Sequence, residues 1–330
     1  MDLDLAQRPI DRRSIPDAAR EDVWALADGH GVRRIDWPGI PGDGVPGNSE
    51  RRARWSILFM PGRGDHYEKY LESLEEWHRA GWRVTASDWR GQGGSGRLGK
   101  DPLTGHVEDF AIWIEDLAHL WQTWIAEVPG PHVLIGHSMG GHLVLRALVE
   151  QRILPDAVVL SAPMLGFQTP PLPLTVLHGV AGFMNAIGDP TRPAWKWSEK
   201  PGELPEARES LLTHDPQRYG DEQFWRDERP EVAMGPASWR WVERGYASVR
   251  ILEEPGAMEK VEVPVFIFST TSDKLVSHAA NVRAAQRLPR GELLEFGAEA
   301  HHEILREVDA VRVRAMEGIA QFLDRVVPAR

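Results

Sequence analysis

The sequence predicts an α/β fold: a mostly parallel central sheet with helices on both faces and a helical cap inserted late in the chain. Three observations lead there. Short apolar runs alternate with amphipathic stretches between about residues 55 and 161, and the apolar runs resume at 263. Such alternation implies parallel strands joined by helices that cover both faces. A Gly-His-Ser-Met-Gly pentapeptide at 136–140 links one of these runs to a helix-like stretch. Between 165 and 250 the alternation stops and no buried-strand run is evident.

In chain order, residues 1–22 are polar and punctuated by proline, and read as a loose arm or a short helix. Residues 32–37 read as an early edge strand, and the proline- and glycine-rich residues 38–48 as a turn or loop. A strand is expected at 56–60, a helix at 67–80 and a strand at 82–87. Val107, Phe110, Ile114, Leu117, Leu120 and Trp124 fall at helical spacing, which predicts one amphipathic helix over 106–127. His132-Val133-Leu134-Ile135 is the strand before the pentapeptide, a helix follows it, and 157–161 is the next strand. The stretch 165–250 is too long for a plain loop. Its tryptophans, including Trp195, Trp197, Trp225, Trp239 and Trp241, argue against disorder. It reads as a mostly helical cap over the active site. Strands at 264–269 and 292–296 and a helix from about Glu303 complete the chain. Residues 1–164 and 251–330 therefore form the two parts of one core, with 165–250 as the cap.

The pentapeptide carries the chemistry. A Gly-x-Ser-x-Gly run between a buried strand and a helix is a nucleophile elbow, a turn so tight that the serine backbone is strained. Side chains on the flanking glycines would strike the neighbouring chain. Ser138 is the candidate nucleophile, and the Met139 N–H, opening a helix, is half of an oxyanion hole. The elbow requires an acid and then a histidine further along, each after a later strand. Asp273 follows the strand at 264–269, and His301-His302 follows the strand at 292–296. Either histidine can serve as base, with Asp273 fixing its tautomer. The glycine-rich loop after the first clear strand offers the Arg63 N–H as second oxyanion donor, since Pro61 has none to give.

Other patterns are set aside on physical grounds. Residues 88–96 are glycine-rich but lack the Gly-Lys-Ser/Thr ending of a phosphate loop, so no nucleotide cofactor is expected; Asp88 and Arg90 are read as braces of the active-site loops. His132, His137 and His142 are spaced five apart, which is not one helical face, so no metal is expected. The chain has 330 residues, 42% apolar and 26% charged, with a net charge of −11. That charge argues against nucleic acid as a partner. The absence of cysteine excludes disulfides and thiol chemistry and fits a reducing compartment. No signal peptide and no apolar run of spanning length is evident, so a cytoplasmic protein is expected, with peripheral membrane contact through the cap as an option. Fourteen tryptophans point to an apolar cavity or an interface.

At this point a family resemblance adds detail. Pro61-Gly62-Arg63, Tyr67-Glu68-Lys69-Tyr70, Asp88-Trp89-Arg90-Gly91-Gln92-Gly93, the run from Gly105 to Asp116, Leu212-Thr213-His214-Asp215 and His302-Glu303-Ile304-Leu305 carry it. On these motifs the chain resembles the monoacylglycerol lipase and lysophospholipase branch of the α/β-hydrolases, grouped with serine aminopeptidase-like hydrolases, and within it the bacterial lysophospholipase L2 type. Pro61 stands where many monoacylglycerol lipases have histidine, which favours the latter type. The resemblance implies an α/β-hydrolase fold and a serine hydrolase cleaving carboxylic esters of lipid-like substrates, lysophospholipid or monoacylglycerol, without a cofactor. It also assigns the base to His302. The alternatives are a general carboxylesterase of short or medium chains and a non-catalytic small-molecule-binding protein on the same fold. Acyl length, headgroup and oligomeric state are not legible.

Overall fold

The computed structural model describes residues 9–38, 55–168, 172–195 and 206–327. The strands are β1 (Arg20–Ala25), β2 (Gly31–Trp37), β3 (Ser56–Met60), β4 (Arg83–Ser87), β5 (His132–His137), β6 (Ala157–Ser161), β7 (Val265–Thr270) and β8 (Gly291–Phe296). They form one sheet in the order β1-β2-β4-β3-β5-β6-β7-β8. From β4 to β8 all neighbours are parallel, and β1 and β2 add antiparallel at one edge. The helices are α1 (Leu71–Arg79), α2 (Phe110–Glu127), α3 (Met139–Val149), α4 (Leu174–Ala186), α5 (Glu206–Leu212), α6 (Pro216–Glu228), α7 (Trp239–Glu253), α8 (His278–Arg287) and α9 (Asp309–Val326).

Successive strand residues point to opposite faces. Leu58, Leu134, Val158 and Ile267 join a core with α2, α3 and α8 on one face. Ile57, Phe59, Ile135, Val159 and Phe268 join a second core with α1 and α9 on the other. Both faces are covered, which is why these strands appear as unbroken apolar runs. Most tryptophans serve these cores; Trp77, for example, stacks on Trp82 at 5.9 Å.

Several elements differ from expectation. The supposed loose N-terminal arm, residues 1–22, runs into β1 from Arg20, whose pairing with β2 makes β1 the edge; residues 32–37 are one strand further in. Only Trp24 of β1 is buried, so its sequence lacks an alternating pattern. Residues 1–8 and 39–54, with most of the expected loop at 38–48, lie outside the described residues. The expected helix at 67–80 begins as a single 3-10 turn, Tyr67–Tyr70, before α1. The expected helix at 106–127 begins only at Phe110, where the Asp109 side chain caps it by accepting from the Ala111 N–H. The preceding Gly105 is drawn instead into a short backbone ladder with Pro236 and Ser238, at 2.9 Å each. After Glu303 the chain makes a 3-10 turn, and α9 starts at Asp309. The boundary expected at 250 falls inside α7. Among the described residues, no helix is long and apolar enough to cross a membrane.

Candidate active site

Strand β5 ends at His137, and α3 begins at Met139. Ser138 makes the turn alone, at φ 50° and ψ −116°. A non-glycine residue persists there only where its surroundings over-determine it. They do: the Ser138 N–H donates to Ser161 at 2.9 Å, and its carbonyl accepts from His142 and Met164 at 3.0 Å. A Cβ on Gly140 would sit 2.4 Å from the carbonyl oxygens of Met60 and Pro61. Only glycine lets α3 lie this close to the end of β3.

The later strands deliver the partners. Asp273 follows β7 and is buried. Its Oδ1 accepts from the Leu275 and Val276 N–H groups at 2.8 and 2.9 Å. Its Oδ2 lies 2.7 Å from His302 Nδ1. His302 Nε2 lies 2.9 Å from Ser138 Oγ. A carboxylate acceptor at Nδ1 keeps the proton there and leaves Nε2 to face the serine hydroxyl. Burial of the His302 ring opposes its charged form, but the Asp273 charge and hydrogen bond outweigh this and raise its pKa. Burial likewise opposes the Asp273 carboxylate, but the adjacent His302 and the backbone donors hold its pKa below the ordinary value. His301 faces elsewhere: its N–H donates to Glu307 at 2.7 Å, and its ring stacks on His214 at 3.8 Å.

The loop after β3 lies against the serine: a Cβ on Gly62 would be 3.1 Å from Ser138 Cβ. The Gly62 N–H is taken by Asp65 and the Gly64 N–H by Gln92. The N–H between them, that of Arg63, has no hydrogen-bond acceptor among the described residues. Met139 is the first residue of α3, so its N–H has no partner within the helix.

Ser138 and His302 open into a cavity of about 610 Å³, a volume typical of small-molecule sites. Its apolar lining includes Phe167, Trp195, Met234, Trp241 and Tyr246. Of the tryptophans expected at the site, Trp195 and Trp241 are therefore present. Trp225 packs into the core under α1 and α9 instead, Trp239 packs against the Arg192 guanidinium, and Trp197 lies outside the described residues. Asp88 and Arg90 both pair with neighbouring segments, Asp88 with Arg33 and Arg90 with Asp116 and Asp28.

The model of the family described as "Serine aminopeptidase, S33" matches residues 51–309. The chain belongs to this family. It is a hydrolase of the α/β-hydrolase fold. Lysophospholipase L2 of Escherichia coli (strain K12) is 30% identical over 289 residues, covering 82% of this chain and 80% of that protein. The probable lysophospholipase L2 of Haemophilus influenzae is 24% identical, covering 83% and 85%. The solved structure of a soluble variant of monoglyceride lipase from Saccharomyces cerevisiae, bound to a substrate analog, superposes with a TM-score of 0.72. It is 16% identical and covers 98% of this chain and 100% of that one; at that identity it speaks for the fold. The family resemblance read from the motifs is thereby borne out.

One part of this hydrolase's site escaped the sequence reading. Asp65, His137 and Glu303 converge within 4.8 Å beside the triad. The cation among them is Lys69, whose Nζ lies 2.5 Å from Asp65, 2.6 Å from Glu303 and 3.0 Å from Glu222. Tyr67-Glu68-Lys69-Tyr70 stood out only as a family motif, and nothing in its spacing signals a buried ammonium. Burial opposes the Lys69 charge, but the three carboxylates outweigh it and raise its pKa. Removing one partner of a buried ion pair typically costs about 3–5 kcal/mol. We predict that Lys69→Met lowers unfolding stability by about that amount, measured by urea denaturation; an unchanged midpoint would contradict a structural role for this cluster.

Proposed function

We propose that this hydrolase cleaves carboxylic ester bonds of lipid-like substrates, lysophospholipid first, through an acyl-enzyme on Ser138. The observation that carries the reading is the hydrogen-bonded series Asp273–His302–Ser138 at the wall of a largely apolar cavity. Ser138 Oγ attacks the ester carbonyl while His302 Nε2 takes its proton. Asp273 holds the ring and steadies the imidazolium. The Arg63 and Met139 N–H groups receive the oxyanion. His302 then protonates the departing alcohol, and water releases the acyl group by the same route in reverse roles. The names of the lysophospholipase relatives support the substrate class. Peptide cleavage from an amino terminus is less well supported. It needs a carboxylate for the substrate ammonium, and the two that line the cavity among the described residues, Asp65 and Glu303, are both bound to Lys69.

The segment 165–250 is proposed as the lid of this cavity. It also supports contact with a lipid surface. α4 carries no Asp, Glu, Lys or Arg, and its Val176, Val180 and Phe183 form an exposed apolar stripe at helical spacing, with exposed Leu172 and Ile187 flanking the helix.

Four measurements test these proposals. The base must be neutral, so kcat/KM rises as pH rises through the His302 pKa, which, against the opposing effect of burial, the Asp273 charge and hydrogen bond hold above that of an ordinary imidazole. Asp273→Asn removes the charge that raises it. The acid limb should therefore move to lower pH on a reduced rate; a limb that stays in place rejects this role for Asp273.

Each buried CH₂ contributes about 0.8 kcal/mol, so two added carbons should raise kcat/KM roughly tenfold until the cavity is full. Hydrolysis of p-nitrophenyl esters from about two to twelve carbons, below their micelle thresholds, tests this expectation. A steady decline from the shortest ester would favour a short-chain esterase. Ser138→Ala should lose roughly 10⁴-fold or more in rate and all fluorophosphonate labelling; residual activity within about tenfold of wild type sinks the nucleophile assignment.

Wild-type protein should sediment with phosphatidylcholine vesicles, and Phe183→Asp should weaken that partition by about tenfold. Equal sedimentation of the two proteins removes the membrane contact from the proposal.

A further inference from the structure

The cavity beside Ser138 holds a positive charge with no carboxylate in ion-pair contact among the described residues. Arg63 lines it from the loop after β3. Its Nη2 donates to the neutral Gly235 carbonyl at 2.6 Å, and its Nε has no partner. The guanidinium carbon lies 5.5 Å from the Trp195 ring centre and 5.4 Å from that of Trp241. Among the described residues, no carboxylate is in ion-pair contact with it. Burial, joined by the Arg208 charge, pushes its pKa down to about 9, while Asp65 opposes the shift. It therefore stays a cation at neutral pH. The other two Arg or Lys residues of the lining among the described residues are placed differently. Arg208 pairs with Glu222 at 3.0 Å, and Lys274 is exposed and donates to the Ser210 carbonyl.

A poorly solvated guanidinium without a counter-ion is unfavourable. In a cavity, a ligand can supply the missing anion. Guanidinium is also the side chain whose planar fork matches phosphate. Arg63 follows Gly62, the residue pressed against Ser138, so its side chain starts beside the scissile carbonyl. In an acyl glycerophosphate the phosphate sits a few bonds from that carbonyl, on the alcohol half.

Resting on the lipid-ester reading of this site, we propose that Arg63 determines headgroup specificity: its guanidinium receives the phosphate of an acyl glycerophosphate, placing such esters above uncharged acyl glycerols.

The test compares kcat/KM for an acyl glycerol 3-phosphate and a monoacylglycerol of the same acyl chain, below micelle thresholds and near pH 7, in wild type, Arg63→Gln and Arg63→Lys. A charge-assisted hydrogen bond contributes about 1.5–3 kcal/mol, so the anionic-to-neutral ratio should fall roughly 10- to 100-fold in Arg63→Gln, mainly through KM. Arg63→Lys should restore part of it. An arginine that only braces the cap, or assists the oxyanion, would lower both substrates in proportion, and an unchanged ratio overturns the proposal.

A second measurement needs no variant. Glycerol 3-phosphate should inhibit wild-type hydrolysis of a short neutral ester competitively and far better than glycerol. Equal inhibition by the two overturns the assignment. So does inhibition by inorganic phosphate as strong as that by glycerol 3-phosphate, which would mark a free-phosphate site. Failure of wild type to turn over either lipid, with p-nitrophenyl esters still cleaved, would instead strike the lipid reading and take this proposal with it.

Discussion

The ammonium of Lys69 is the contact on which the geometry of the site depends. It meets carboxylates from three separate parts of the chain: Asp65 in the loop after β3, Glu222 on α6 and Glu303 next to His302. Asp65 in turn accepts from the Gly62 N–H and the Tyr70 hydroxyl, which shapes the loop that presents the Arg63 N–H. Arg306 pairs with Glu303, and the Glu303 N–H donates to Leu212 at the end of α5 at 2.8 Å. One buried charge thus ties together the loop after β3, the loop that carries His302 and α6. Glu222 is also held by Arg208 and Arg226, and Glu303 by Arg306, so Lys69 is the centre of a buried cluster in which carboxylates require cations. The three parts are therefore obliged to assemble together.

Around that tie, the sheet supplies direction. β3, β5, β7 and β8 end at the same edge because they are parallel, so the loops after them converge without any long excursion. The strain in the Ser138 backbone is held by the sheet end and by the close approach of α3, which lifts the hydroxyl towards His302. The rigid part of the site is built of backbone hydrogen bonds and buried ions. The cavity wall, by contrast, is apolar and aromatic and comes in large part from the segment between β6 and β7. The Ser138–His302–Asp273 series and most of the apolar cavity wall thus come from different parts of the chain. Arg63 bridges them, with its backbone beside the serine and its side chain among Trp195, Trp241 and Gly235 of that segment.

Legibility in the sequence followed burial. The central strands were readable because each feeds two cores and so forms a continuous apolar run, as Val133-Leu134-Ile135 does. β1 was not, because a single buried tryptophan leaves no period and the strand exists through its pairing with β2. The start of α2 was misplaced because the Gly105 ladder to Pro236 and Ser238, distant in sequence, competes with helix for residues 105–109. The fourteen tryptophans suggested a cavity, yet most fill the cores.

The sequence by itself determined the α/β class, the turn at Ser138 and the order serine, acid, histidine, since these depend on local sterics and on runs of neighbouring residues. Local sterics left two adjacent histidines open, and only the family motif pointed to His302. The tertiary structure supplies the physical reason, since the His301 backbone N–H is held by Glu307 and its ring stacks on His214, while His302 is left facing Ser138. Only the tertiary structure decided that Lys69 is buried among carboxylates and that Arg63 is not. The partners at 65, 222 and 303 are brought together by the fold, and a charge's surroundings in space leave no periodic trace along the chain.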